Sequence, residues 1–314
     1  MGRKLRFIPP GSLVEVTAKT IQGRFLLRPG PELNRRFVGV VARAKCAYDV
    51  KVHAVACLSN HHHMLVSPGD AQQLALFMNY VQGNLATEAG DLHDWEGPFW
   101  GRRYHAILVS DEPAAQYERL RYVLAQACKE GLVERPELWP GVHSVFALRD
   151  DEPLRGVWYD RTGLCLAGRR KSEPPDLEDF KSTETLELDP LPCWERQGIS
   201  DEERQRIVAE MVEQIVEEAA AERVTKGIRP RDPSNFTRVH PHQRPEKTKL
   251  SPAPFVHAAS KEVRVKFREA YRIFSEAFRA AAERLKAGRA GTAFPEGSFP
   301  PGLPFVPIPL LEPG

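Results

Sequence analysis

Apolar residues recur in two rhythms along the first 145 positions. Ser12-Leu13-Val14-Glu15-Val16-Thr17-Ala18 alternates at period two and is rich in β-branched side chains, which predicts a strand. Gly23 breaks the stretch, and Pro29-Gly30-Pro31 turns the chain. Leu33, Phe37, Val40, Val41 and Ala44 then recur at helical spacing, so 32–48 reads as a helix with one face toward a sheet. Period two returns from Val50 to Leu58 and again through Val66. The polar step Ser59-Asn60 is either a bend between two strands or a kink inside one.

Asp70 stands where it can cap a second helix, running to about Ala89 with Leu74, Phe77, Met78, Val81 and Leu85 as its buried stripe. A loop with glycine and tryptophan (90–101) leads to a predicted strand over 102–109. Asp111 can cap a third helix over 113–129, with Pro113 in its first turn and Gly131 just past its end. The order β-α-β-β-α-β-α predicts an α+β fold, a ferredoxin-like antiparallel sheet with its helices on one face.

From about Arg149 charges and prolines crowd in and apolar runs shorten, so 149–199 reads as a connecting region with little fold of its own. Ser200-Asp201-Glu202-Glu203 is a capping box that opens a helix to about Val224. A basic, proline-rich loop follows, with Arg229, Arg231, Arg238, Arg244, Lys247 and Lys249. A last helix, about 258–287, carries the stripe Val263, Phe267, Tyr271, Phe274 and Phe278, and the tail from Phe294 is rich in proline. The expected organisation is a domain over 1–148, the connector 149–199, and a mainly helical C-terminal extension over 200–314.

Composition narrows the function classes. The 314 residues are 42% hydrophobic and 27% charged, with a net charge of only +2, so a nucleic-acid surface must be local. Five scattered cysteines form no CxxC pair, which argues against a zinc ribbon or a disulfide framework and for a reducing compartment. No apolar run reaches the roughly 20 residues of a membrane span. The start, basic and soon interrupted by Pro9-Pro10, does not read as a signal peptide. The expectation is a cytoplasmic protein without a membrane partner.

The candidate chemistry centres on Ser59-Asn60-His61-His62-His63-Met64-Leu65-Val66. On a strand, His61 and His63 share one face and His62 takes the other. Two imidazoles on one face can hold a single divalent ion, and a flipped strand would offer His62 instead. On the third predicted helix, Tyr122 and Gln126 are four apart and share a face. A phenol can attack phosphorus and form a covalent phosphotyrosine, conserving the energy of the broken diester for rejoining. An amide oxygen one turn away can complete a site begun by two imidazoles. Tyr104 and Tyr117 are the competing phenols. Arg102, Arg103, Arg119 and Arg121 are candidates for a nucleic-acid-binding phosphate track.

Four blocks in order give these residues a family resemblance. Residues from about Pro9 to Val145 resemble the single-tyrosine HUH transposases, and especially their REP-associated relatives. Ser59 to Val66 is similar to the family's Pro-Asn-His-x-His-Leu-Leu-Val. Gly97-Pro98-Phe99-Trp100-Gly101-Arg102-Arg103-Tyr104 is similar to Phe-Trp-x-Arg-Arg/Lys-Tyr. Tyr122 through Val133 resembles Tyr-Ile-x-x-Asn-Pro-Val-x-x-Gly-Leu-Val, and Trp139-Pro140 followed by Ser144 resembles Trp-Pro-x-Ser. This chain departs from the pattern in having His62 where a bulky apolar residue is usual, and Gln126-Ala127 for Asn-Pro.

The resemblance implies that His61, His63 and Gln126 hold a divalent metal, Mg²⁺ or Mn²⁺, and that Tyr122 is the nucleophile. It implies cleavage of single-stranded, hairpin-containing DNA to a 5′-phosphotyrosine and a free 3′-OH, followed by strand transfer, with a homodimer as a possible assembly. A binding module for DNA or RNA that keeps this fold without turnover is the alternative. The resemblance covers less than half of the chain.

Overall fold

In a computed structural model of the chain, residues 5–169, 175–227, 229, 232–246, 256–289 and 291–299 are described. The N-terminal part runs β1 (Leu13–Lys19), α1 (Pro31–Tyr48), β2 (Lys51–Leu58), β3 (His61–Ser67), α2 (Ala71–Leu92), β4 (His105–Val109), α3 (Pro113–Leu124) and α4 (Gln126–Lys129). It continues with α5 (Val145–Arg149), β5 (Leu154–Tyr159), α6 (Arg161–Gly168), β6 (Lys181–Leu186) and α7 (Pro192–Gln197). The C-terminal part adds α8 (Asp201–Lys226), α9 (Ser234–Arg238), β7 (Val256–His257) and α10 (Lys261–Lys286).

The central sheet has the order β2-β3-β1-β4-β7. Its first four strands pair antiparallel in the ferredoxin-like order expected, and the fold class stands. Ser59-Asn60 is a two-residue turn between two strands, because Leu58 pairs with His61 across it. The two-residue strand β7 joins β4 in parallel, so the edge is mixed. Two residues carry no readable period, so this strand has no signature along the chain.

The helices lie on both faces of the sheet, a correction to the expectation of one. The reason is the period of the strands, which turn apolar side chains both ways. Val14, Val16, Met64 and Val66 meet α1 and α2 through Phe37, Val41, Leu74, Phe77 and Met78. Leu13, Ala54, Ala56, Leu58 and Leu65 meet α3, α4 and α8 through Leu120, Val123, Leu124, Val208 and Val212. Parallel and antiparallel sheets buried on both faces read as apolar runs rather than clean alternation, and β2, buried from Val52 to Leu58, has that texture.

Two of the three caps expected from the sequence hold. Asp70 accepts from Gln73 N at the start of α2, and Ser200 accepts from Glu203 N at the start of α8. Asp111 does not cap α3: Glu112 holds the cap position and its carboxylate instead accepts from Ala259 N and Ser260 N. The expected helix over 113–129 is divided at Ala125 into α3 and α4, and Gly131, at φ 67°, ends it as expected.

Residues 149–199 have more structure than their composition suggested. β5 and β6 form an antiparallel hairpin seated on α1. Gly39 and Gly156 permit this seat: a Cβ on Gly39 would overlap the Val157 carbonyl, and one on Gly156 would overlap the backbone of Gly39 and Arg35. Trp194 of α7 is fully buried beside α3. Of the basic loop, Arg231, Lys247 and Lys249 lie outside the described residues, as does the tail from 300 onward.

Candidate nucleophile and metal-ligand site

The strand pairings bring the site together. Thr17 lies opposite His63, and Lys19 opposite His61, on the face covered by α3. The rings of His61 and His63 are 5.1 Å apart, and the Tyr122 ring is 5.8 Å from that of His63. Residues far apart in sequence, on β3 and α3, therefore meet on one side of the sheet, as the alternation predicted.

Hydrogen bonds at the outer ring nitrogens set the tautomers. His61 Nδ1 donates to Asn60 Oδ1 at 2.7 Å, and His63 Nδ1 donates to Glu15 Oε1 at 2.6 Å, since each oxygen can only accept. In the neutral form of either ring this leaves Nε2 with its lone pair, the form a metal ligand needs. Burial holds the His61 pKa well below the usual range, with the neighbouring His63 and Lys19 adding to the shift, so the ring is neutral at ordinary pH.

His62 faces away. Its ring is 5.8 Å from Phe37 and 5.6 Å from Trp100, and neither nitrogen has a hydrogen-bond partner. Burial, with a smaller contribution from His63, pushes its pKa down to about 3. A neutral imidazole thus fills the apolar position that the family pattern has there. His62 thus lies on the face away from Tyr122, His61 and His63.

Glu15 is the functional residue that sequence reasoning missed. It is 1% exposed at the centre of β1 and accepts from His63 Nδ1 and, at 2.6 Å, from Arg119. Burial raises its pKa, but the His63 hydrogen bond and charge and the Arg119 guanidinium more than offset this, and the net shift is downward. The available signal was an acid in the middle of an otherwise apolar and β-branched strand, where carboxylates are depleted and must be paired if buried.

The predicted cations divide. Arg119 is 6% exposed, bound to Glu15, with its guanidinium 4.8 Å over the Tyr122 ring. Lys129, which was not singled out, has its ammonium 4.4 Å over the same ring. Arg121 pairs with Glu218 of α8 at 2.6 Å and faces away from the imidazoles into that contact. Arg102 and Arg103 are exposed in the turn before β4. Of the competing phenols, Tyr104 is buried with Arg6 stacked on it, and Tyr117 packs beside Trp194.

Gln126 is buried, and its Nε2 donates to the Tyr122 carbonyl at 2.9 Å, which leaves its Oε1 as an acceptor. Among the described residues no cluster of three His, Cys, Asp or Glu side chains could enclose an ion. His61 and His63 offer two ring nitrogens on one face of the sheet, while the Gln126 amide is turned to the Tyr122 carbonyl.

Residues 29–126 match the family described as "Transposase IS200 like". Two solved structures are similar. One is the structure of a REP-associated tyrosine transposase bound to a REP hairpin, at 14% identity, covering 46% of this chain and 82% of that one, with a TM-score of 0.39. The other, from Deinococcus radiodurans R1, is described as a transposase, at 15% identity, covering 34% of this chain and 85% of that one, with a TM-score of 0.28. No curated protein matches the chain. Among the described residues no helix is long and apolar enough to cross a membrane.

Proposed function

We propose that the chain is a transposase that nicks and rejoins single-stranded, hairpin-containing DNA through Tyr122. The observation that carries this reading is the approach of the Tyr122 ring to within 5.8 Å of His63, a ring whose Nε2 is kept free by Glu15. The Tyr122 oxygen attacks a backbone phosphorus. The P–O3′ bond breaks, the 3′ oxygen takes up a proton and leaves as a hydroxyl, and the 5′ phosphate stays on the tyrosine. In strand joining a 3′-OH attacks that phosphotyrosine, and the phenol is released with a proton.

His61, His63 and the Gln126 amide oxygen would hold a divalent cation, Mg²⁺ or Mn²⁺. When bound, such an ion neutralises charge on the phosphate oxygens. Asn60 and Glu15 fix the two imidazoles. Arg119 and Lys129, both over the Tyr122 ring, put positive charge where the attacked phosphate gains negative charge. Glu15 ties the two halves together, because one carboxylate holds both His63 and Arg119.

The test is incubation with a labelled hairpin oligonucleotide and Mg²⁺ or Mn²⁺, followed by a search for a covalent protein–DNA adduct mapped to Tyr122. The adduct and a free 3′-OH are expected. Binding with neither adduct nor cleavage in any metal would favour the alternative, a nucleic-acid-binding protein without turnover. Cleavage that survives Tyr122→Phe would point to hydrolysis by water.

A further inference from the structure

Two helices of 26 residues lie outside the part of the chain that matches the family, and their charges are opposite. α8 carries eight acidic and four basic residues, and α10 eight basic and four acidic. Two of the acids of α8, Glu218 and Glu213, pair with Arg121 of the nucleophile's helix and Arg135 of the segment after it. The cations of α10 are turned outward. At about 100° per residue, Lys261, Arg264, Arg268, Arg272 and Arg279 fall within an arc of about 80°. All five are exposed. Lys261, Arg264, Arg268 and Arg279 make no ion pair with a described residue, whereas Arg272 is held by Glu269 and Glu276.

An adjoining side of α10 is already occupied. Phe274 is 4.6 Å from Phe7, and Phe278 is 5.0 Å from Phe294. An interfacial membrane helix must bury its apolar face in lipid, and here that face is committed to the protein. What remains is a row of exposed cations that spans about 27 Å from Lys261 to Arg279, interrupted between Arg272 and Arg279 by the buried Ser275. One turn of duplex DNA is about 34 Å, and its backbone is a regular polyanion. The row begins beside the site: Ala259 N and Ser260 N, just ahead of α10, donate to Glu112 at the start of α3, about 15 Å along that helix from Tyr122.

We propose that the exposed basic stripe of α10 is a second nucleic-acid surface, which binds the phosphodiester backbone of duplex DNA without reading its sequence. It rests on the reading of the Tyr122 site as one that acts on DNA, and places the paired stem or flank of that substrate along α10. Phosphate contacts of this kind position a substrate and make binding salt-dependent.

The test is the salt dependence of binding to a labelled duplex, measured without divalent metal for the full-length wild type and for Lys261→Gln/Arg264→Gln/Arg268→Gln/Arg279→Gln. Each lost phosphate contact should flatten the log–log slope by about 0.9. The variant is expected to lose about 2–4 from the slope and tenfold or more in duplex affinity at low salt, with affinity for a stemless single strand retained. Glu269→Gln/Glu276→Gln, which frees Arg272, should steepen the slope, a gain that misfolding cannot imitate. An unchanged slope in the fourfold variant, an equal loss on the stemless strand, or tighter binding to phosphatidylserine vesicles than to duplex overturns the proposal. A nicking assay on the wild type separates the two readings: neither adduct nor cleavage with Mg²⁺ or Mn²⁺, beside an intact slope effect, rejects the site and keeps the stripe.

Discussion

The two faces of β3 carry the same side chain in opposite states. On one face His61 and His63 each have a hydrogen bond at Nδ1, and Tyr122 packs nearby. On the other, His62 sits among Phe37 and Trp100 with both nitrogens unpartnered. The chemical difference lies in what each face packs against: one meets a helix bearing a carboxylate-bound arginine and a phenol, the other an apolar helix layer. An imidazole is thus a ligand, or a filler of apolar space, according to its register.

The sharpest break of this comparison is on the site face. Tyr122→Phe should abolish the covalent adduct and reduce nicking by about a thousandfold or more, the scale of a lost nucleophile, with hairpin binding preserved. Adduct gels and binding isotherms measure the two separately, and a parallel fall in both would show a fold defect instead.

Glu15→Ala should come next. It leaves Arg119 buried without its partner, which costs about 3–5 kcal/mol, and loosens His63, which should weaken metal binding by about 10–100-fold. Denaturant titration reads the first effect and calorimetric Mn²⁺ binding the second. Glu15→Gln, which keeps the shape, separates them: metal affinity should fall more than stability does.

The rear face should behave in the opposite sense. His62→Leu removes a buried ring with two unsatisfied nitrogens and should leave stability unchanged or raise it by about 1–2 kcal/mol, with metal affinity retained. His63→Leu should abolish metal binding. A large loss of melting temperature in His62→Leu would show that the rear imidazole has a partner.

Acid should weaken the fold through other buried histidines. Burial brings the pKa of His53 and of His143 down to about 4 from 6.5, although each ring donates a hydrogen bond to a backbone carbonyl. Between those values the unfolded chain binds more protons than the folded one. Stability is therefore full above about 6.5 and falls as the pH drops toward 4, by about 1.4 kcal/mol per pH unit for each histidine. Urea titrations at a series of pH values should show this slope, and His143→Gln should flatten it. The smallest effect expected is that of Arg121→Ala, whose exposed pair with Glu218 is worth about 1 kcal/mol or less by the same titration.

Much of the site was legible in the sequence because it rests on local periods. Alternation along β3 separated His62 from its neighbours, and helical spacing placed Gln126 one turn from Tyr122. Capping residues marked the starts of α2 and α8. Glu15 escaped notice because its importance lies in two partners 48 and 104 positions away. Arg119 and Arg121 looked alike on a helix, yet one is buried over the Tyr122 ring and the other faces α8.

The sequence by itself determined the strand–helix order, the faces of the three histidines and the pairing of Tyr122 with Gln126, since each follows from backbone geometry over a few residues. Only the tertiary structure decided that helices cover both faces of the sheet, that Gly39 and Gly156 seat a hairpin on α1, and that His257 adds a parallel edge beside β4. Those features depend on contacts between distant segments, whose free energy is set by packing and charge pairing that no local period records.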